Sequence, residues 1–508
     1  MRSADTDQRY NGNQYLKSAY RRIWTHCDGI TTFELQRRNS IHPLRRLKSP
    51  TRVGVRKGGK MDSRHTRRTF LQGAAVATAG TFLYTPYVRA QGTGGKLSVA
   101  LNQHWVPAVE IVQRKAVEAW AKKNNVEVSI DFIGGAATLT VPAGESRARE
   151  GHDLIEMSMW QFAQYQDSLE PLDDAIKSLA DRYGPPVPAA EYGLKHSGVW
   201  RGVPATQTHT KCMESRIDLW KQHVGVDLQD LFPAGVRDQA RIDREWTNET
   251  FLKAAKKLHA AGVPFAHPIS SASNADANDW LSPLFLSFGA ELVNAAGEIV
   301  IDSDAVRAAL TYLQELTRYM PEDIYSWDDA GNNRWLVSGK GATIVNPPSV
   351  WAGALKDAPD IGKQLWHHDL PSGPAGRFRG LLVHGYGVWN FAKNIGAAKE
   401  LAQWLAEKEQ FASFVEASNG YDIPLFDSYT DIPVWKNAGP PTGSIYNYPV
   451  RGNEVLTICG YPAPADIASK IYSEKLLSNM IGRVTQAGET IDSAISWASS
   501  EIEGYLRG

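Results

Sequence analysis

Apolar and polar positions alternate over Val126–Ile133 (Val-Glu-Val-Ser-Ile-Asp-Phe-Ile), the period-two pattern of a half-buried strand. Lys96–Leu101 reads as a short strand before it, and His152–Met157 as a third. Between the first two the apolar spacing lengthens to three and four residues, which predicts a helix from Pro107 to Lys123. Amphipathic helices are predicted over Thr250–Ala261, Ala305–Tyr319 and Ala397–Ala417, and the tail from Ile467 to Leu506 reads as largely helical. Strands that alternate with helices predict an α/β fold built on a mostly parallel sheet. There is no internal repeat and no low-complexity segment.

The first ninety residues break this pattern. Arg67 and Arg68 stand before a short apolar run from Phe70 to Leu83, and Val88 and Ala90 have the small-residue spacing of a signal-peptidase site. Thr66-Arg67-Arg68-Thr69-Phe70-Leu71 resembles the twin-arginine export signal, which sends folded proteins to the bacterial periplasm. Gly73, Gly80 and Pro86 interrupt the run, which is shorter than the ~20 apolar residues of a membrane-spanning helix, so cleavage near Ala90 is expected rather than anchoring. Residues 1–60 are read as a disordered, non-native extension upstream of a true start at Met61. A basic nucleic-acid-binding arm there would conflict with an export signal that works from an N-terminus.

Removing both segments changes the charge. The whole chain has 55 Lys+Arg and 55 Asp+Glu, but residues 1–60 hold 14 basic against four acidic residues and residues 61–90 four against one. That leaves 37 against 50 after Ala90, a formal charge near −13, and no electrostatic case for binding nucleic acid or an anionic membrane. The remaining 418 residues are too many for one core and suit two lobes. Cys212 and Cys459 survive processing, either as a disulfide or as two isolated thiols.

Five segments after Ala90 carry a family resemblance. They are Gly198-Val-Trp-Arg-Gly-Val-Pro204, Glu245-Trp-Thr-Asn-Glu-Thr-Phe-Leu-Lys-Ala-Ala-Lys-Lys-Leu258, Phe288-Gly-Ala through Asp302-Ser303, Ser338-Gly-Lys-Gly-Ala-Thr-Ile-Val-Asn346 and Lys393-Asn-Ile-Gly-Ala-Ala-Lys-Glu-Leu401. Each alone is weak, but in this order they resemble the extracellular solute-binding proteins of ATP-driven importers, the maltose-binding-protein-like group. The resemblance implies an α/β, two-lobed periplasmic-binding-protein fold (type II), with a ligand cleft between lobes joined by hinge crossings. Lobe one is expected over 96–205 and 378–430, and lobe two over 206–377 and 431–508. It also implies a periplasmic monomer that binds a small-molecule solute and docks on an inner-membrane permease, with no cofactor, no metal and no chemistry of its own.

Candidate ligand contacts follow from position and residue type. Trp105 lies just past the first strand, where open α/β sheets bind ligands, and is either a contact or a lobe-surface aromatic. Trp160 follows the third strand. His209, in Thr208-His209-Thr210 after the Gly-Val-Pro segment, is a site residue or a hinge residue. The resemblance points to Asn278, Asp279 and Trp280 (a helix cap being the structural alternative), to Trp351 (a core aromatic after a strand being its alternative), and to Gly385 and Tyr386 in His384-Gly-Tyr-Gly387. Tyr421 and Arg451 rank below these. Aromatic faces beside neutral polar groups suit a sugar or polyol, while Asp279 leaves a cationic amine or polyamine open.

Enzyme readings find little support. No Gly-x-Ser-x-Gly, His-Glu-x-x-His or phosphate-loop pattern occurs, and Gly339-Lys340 is followed by glycine. His367-His368-Asp369 could ligate a metal only if neighbouring side chains shared a face, which an extended segment prevents. A secreted carbohydrate hydrolase using paired carboxylates is the alternative function.

Overall fold

The two-lobed α/β architecture starts from Gly95–Asn102 (β1), whose second half is fully buried and which aligns in parallel with the alternating strand Val126–Ile133 (β2). Between them runs Ala108–Lys123 (α1), and after β2 comes Ala137–Ala148 (α2). Leu154–Ser158 (β3) joins the other edge of β1, again in parallel, and runs directly into Met159–Tyr165 (α3). The computed structural model describes residues 94–437 except 270 and 274, residues 454–456, 458 and 460–507, all within one compact unit, 85–508. The export-signal residues Arg67, Arg68, Phe70, Leu71 and Ala90 lie outside the described residues, as do Arg451 and Cys459.

The chain then passes back and forth between sheets. Short strands Val203–Pro204 (β4) and His209–Thr210 (β5) lead to Cys212–Arg216 (β6), followed by Asn248–Ala260 (α4), Asp276–Ser287 (α5) and Asp304–Leu316 (α6). Thr343–Asn346 (β7), Ser349–Asp357 (α7), Leu365–His368 (β8), Arg379–Leu382 (β9) and His384–Val388 (β10) complete the return. Ile395–Leu405 (α8), Glu454–Leu456 (β11), Ala465–Ser473 (α9), Leu476–Thr485 (α10) and Ile491–Leu506 (α11) follow. The first sheet has the order β2-β1-β3-β10-β4, the second β8-β6-β7 and the third β11-β9-β5. Both passes between the first and second sheets therefore run through the third, at β5 and at β9.

Only part of the first sheet is parallel. β10 pairs antiparallel with β3 and β4. It enters from the third sheet rather than through a crossover helix, so nothing forces it to run parallel. The second sheet is antiparallel throughout.

Helix ends follow local chemistry. Thr247 caps α4, Ser303 caps α6, Asn394 caps α8 and Thr490 caps α11, each side chain accepting from a first-turn N–H. α6 buries Val306, Ala309, Leu310, Leu313 and Leu316, one face of a 3.6-residue period. The helix read over 397–417 is two, because Glu407 is extended and its carboxylate is held by Arg182 and Tyr183. The helical tail is likewise three pieces, broken at Lys475, where φ is +55°, and again over 486–490. Among the described residues no helix is long and apolar enough to cross a membrane.

Candidate functional site

The ends of β1, β3, β5 and β10 and the start of α5 converge on a cleft of about 310 Å³. Parallel strands present their C-terminal ends together, so Asn102 and Gln103 after β1, Gly134 and Gly135 after β2, and Ser158 after β3 reach the same opening. Ser158 and Gln161 form a capping box that starts α3, and Gln161 also donates to the Thr138 carbonyl at 2.9 Å. That contact ties α3 to the first turn of α2, whose Thr138 and Leu139 form part of the wall.

Two aromatic rings face the opening. Trp105 is 44% exposed, although it lines the cleft. Trp160 lines it as well and stacks on Tyr472 of α9, with ring centroids 5.6 Å apart and 29° between planes. Tyr472 in turn donates to Asp279 Oδ1 at 2.9 Å, so this stack joins α3 to α5.

The opposite wall is charged. Lys211, between β5 and β6, places its ammonium 2.6 Å from Asp276 Oδ1 and 3.7 Å from Asp279 Oδ2, with side-chain exposures of 2%, 7% and 0%. Burial alone would lower the lysine pKa, but Asp276 and Asp279 turn the shift upward and keep it protonated. Asp276 also accepts from Asn332 at 2.9 Å. Burial pushes the Asp279 carboxyl up to about 7, against the pull of Lys211. Asp329 Oδ1 accepts from Ser273 and from the Ala275 and Asp276 amides, which satisfies the first free N–H groups of α5. Its pKa is raised by burial and by Asp276.

Beneath the cleft lies a buried floor. Glu156 takes the Asn102 amide at 3.1 Å, and burial pushes its carboxyl up to about 8. Burial lowers His209 well below the usual histidine range and holds His384 at about 3. Asp422 takes the Gln207 amide at 2.6 Å and lies 3.4 Å from His104 Nε2, fastening the 420–423 segment to the crossing strand.

The structure therefore brings Trp105, Trp160, His209 and Tyr421 together in one cleft. The other candidates lie elsewhere. Asn278 and Asp279 bond to Tyr472 behind the cleft wall, and Trp280 packs edge-on against Phe265 and His267 in the core. Trp351, 1% exposed, sits in a small core with Leu336, Ile344, Val350 and Leu365. It begins the helix after β7, and that helix turns its apolar face inward. Gly385 and Tyr386 follow strand alternation. The Gly385 α-carbon faces Phe162 and Leu194, and the buried Tyr386 hydroxyl lies 3.5 Å from Thr206 Oγ1. Gly385 is small because the core is close there: a Cβ would come within 2.8 Å of the Phe162 ring.

Lys211, Asp276, Asp329, Asn333 and Asn346 line the cleft without having drawn notice in the sequence. Period two from His209 was a usable signal for Lys211, since extended backbone turns every second residue to the same side. Nothing local marked the others. His367 and His368 face opposite sides of β8: His367 lies 3.1 Å from Glu214, and His368 bonds Ser215 at 2.8 Å. Among the described residues no three metal-ligating side chains cluster.

The family model for bacterial extracellular solute-binding proteins matches residues 107–410. No curated protein matches the sequence. Maltose-bound MalE3 of T. maritima superposes with a TM-score of 0.64 at 19% identity, over 80% of this chain and 99% of that one. A solute-binding protein from Thermotoga lettingae TMO bound to α-D-tagatose gives 0.64 at 16% identity, over 81% and 100%. A D-mannitol-bound counterpart from Agrobacterium vitis S4 gives 0.57 at 15%, over 81% and 98%. At these identities the likeness is one of fold.

Proposed function

This chain belongs to the family of bacterial extracellular solute-binding proteins, and on that premise we propose that it captures a sugar or polyol in the cleft and delivers it to an ATP-driven importer of the inner membrane. One observation carries the reading: the same cleft holds the aromatic faces of Trp105 and Trp160 and short polar side chains from the first sheet (Asn102, Ser158), the second sheet (Asn346) and the helix Gly331–Val337 (Asn333). Apolar sugar faces stack on such rings while hydroxyls bond the polar rim. The maltose, tagatose and mannitol held by proteins of the same fold support the choice of solute.

Binding, closure and docking are the working steps. Two lobes joined by β5 and β9 open and close about those crossings, and a solute touching both lobes favours the closed state by its differential affinity. Residues 96–205 with 378–430 form one lobe and 206–377 with 431–508 the other. Export through a twin-arginine signal at Thr66–Leu71, cleavage near Ala90 and action as a periplasmic monomer complete the reading.

The test is differential scanning fluorimetry of residues 91–508 with maltose, laminaribiose, D-tagatose, D-mannitol, putrescine and spermidine. A solute at 100 times its Kd stabilises the fold by roughly 2.7 kcal/mol. Stabilisation by a sugar or polyol without product formation is expected. A shift with the amines alone, or turnover of a glycoside, would replace the reading with an amine receptor or a hydrolase.

A further inference from the structure

The cleft floor contains two hydrogen-bond acceptors whose chemistry is fixed by their neighbours. His209 is 4% exposed and lines the cleft. Its Nδ1 lies 2.6 Å from the Gln207 carbonyl oxygen. A carbonyl can only accept, so Nδ1 carries the ring proton and Nε2 keeps a bare lone pair. The Tyr421 hydroxyl oxygen, 3.2 Å from the same Nδ1, can share that proton. Nε2 itself has no hydrogen-bond partner among the described residues.

Asn102 presents the same situation from the end of β1. Its Nδ2 donates to His384 Nδ1 at 3.3 Å, and Oδ1 has no hydrogen-bond partner among the described residues. That donation places the His384 proton on Nε2, 3.3 Å from Ser158 Oγ. Ser158 already accepts from the Gln161 amide, so its own hydrogen is free for a group in the cleft. Buried acceptors in folded proteins are nearly always satisfied. Among the described residues neither finds a donor, and both belong to residues that line the cleft.

We propose that Nε2 of His209 and Oδ1 of Asn102 accept hydrogen bonds from hydroxyl groups of the bound solute, making these two residues determinants of specificity. The inference rests on the carbohydrate reading and deepens it, since it requires donors on the solute at two places. One acceptor belongs to the first sheet and the other to the crossing strand β5, so the solute is held both by a lobe and by the hinge. A solute methylated at either hydroxyl leaves an acceptor unpaired and is rejected, since sites built to bond a hydroxyl discriminate strongly against analogues lacking it.

The tautomer is measured without any solute, by long-range proton–nitrogen NMR of the protein labelled with ¹⁵N-histidine, with His209 assigned as the signal lost in His209→Gln. The expected state is protonated Nδ1 and bare Nε2; protonated Nε2 overturns the proposal. Maltose, D-tagatose and D-mannitol are then added in turn, and the Nε2 signal should move upfield with whichever binds. Calorimetry on that sugar should find His209→Gln, whose amide oxygen reaches the Nε2 position, within roughly tenfold of wild type. His209→Phe should bind on the order of 100-fold more weakly. Circular dichroism checks that His209→Phe folds, and the glutamine variant and the NMR signal stand if it does not. If a sugar binds and neither the Nε2 signal nor the His209→Phe affinity changes, the proposal alone fails. If none of the three binds wild type, the carbohydrate reading fails, and the proposal falls with it whatever the tautomer.

Discussion

Replacing Lys211 with methionine tests the charged wall most directly. The substitution keeps an unbranched side chain of nearly the same length and removes an ammonium that lies 2.6 Å from Asp276 and 3.7 Å from Asp279. Asp276 would remain buried with the Asn332 amide as its neighbour. Breaking a buried pair from one side costs about 3–5 kcal/mol, and the surviving amide contact and the start of α5 place this case near the lower figure. Asp279 adds a pH signature. Its carboxyl is pushed up to about 7 by burial even with Lys211 present, and without the lysine it rises further. A carboxyl raised above its unfolded value of about 4 contributes stability that is complete below that value and lost as pH climbs through the folded pKa. Wild type should therefore weaken between about pH 4 and 7 through this group, and Lys211→Met should go on weakening above 7. Urea unfolding followed by tryptophan fluorescence at pH 5 and pH 8 reads both effects. The double variant Lys211→Met with Asp276→Asn should recover most of the loss at pH 5, where Asp279 is protonated and no buried charge is left alone. A single variant within about 0.5 kcal/mol of wild type at pH 8, or one hurt more at pH 5 than at pH 8, would refute the reasoning.

Other outcomes follow from the same geometry. Trp105→Ala should weaken sugar binding roughly tenfold by calorimetry and leave the unfolding midpoint unchanged, because the ring is half exposed at the cleft lip. Trp351→Ala should do the reverse, costing about 3–5 kcal/mol in stability because the ring fills the small core beside β7. Gly385→Ala should cost about 1–3 kcal/mol in urea titrations, since its Cβ would press on Phe162 and Leu194, with sugar affinity little changed. His152 lies between Glu145 of α2 and Asp131 of β2; burial would lower its pKa, but the two carboxylates raise it. A histidine so raised contributes stability below its unfolded pKa of about 6.5 that is lost as pH rises through the folded value, so His152→Gln should flatten the stability profile above about pH 6.5.

Local pattern was enough for the elements and the class. The alternation in Val126–Ile133 and the apolar face of 304–316 need only backbone periodicity and the burial of apolar groups, both of which are written in consecutive residues. Position after a strand also marked Trp105 and Trp160, because parallel strands must deliver their C-terminal ends to one side. The helix breaks at Glu407 and Lys475 were not legible, since Glu407 is held by Arg182 and Tyr183 from more than two hundred residues away.

The cleft's chemistry belongs to the tertiary structure. Lys211, Asp276 and Asp279 become one cluster only when β5 meets α5, and the identity of an aspartate does not reveal whether burial will shift its proton. Trp351 and Trp105 are the same residue type shortly after a strand, yet one fills a core and the other edges the cleft, because Trp351 lies on the buried face of a helix and Trp105 in the loop before one. His209 shows the division most plainly. The sequence supplied an imidazole at a crossing, and only the carbonyl of Gln207, 2.6 Å away, fixed which nitrogen keeps its lone pair.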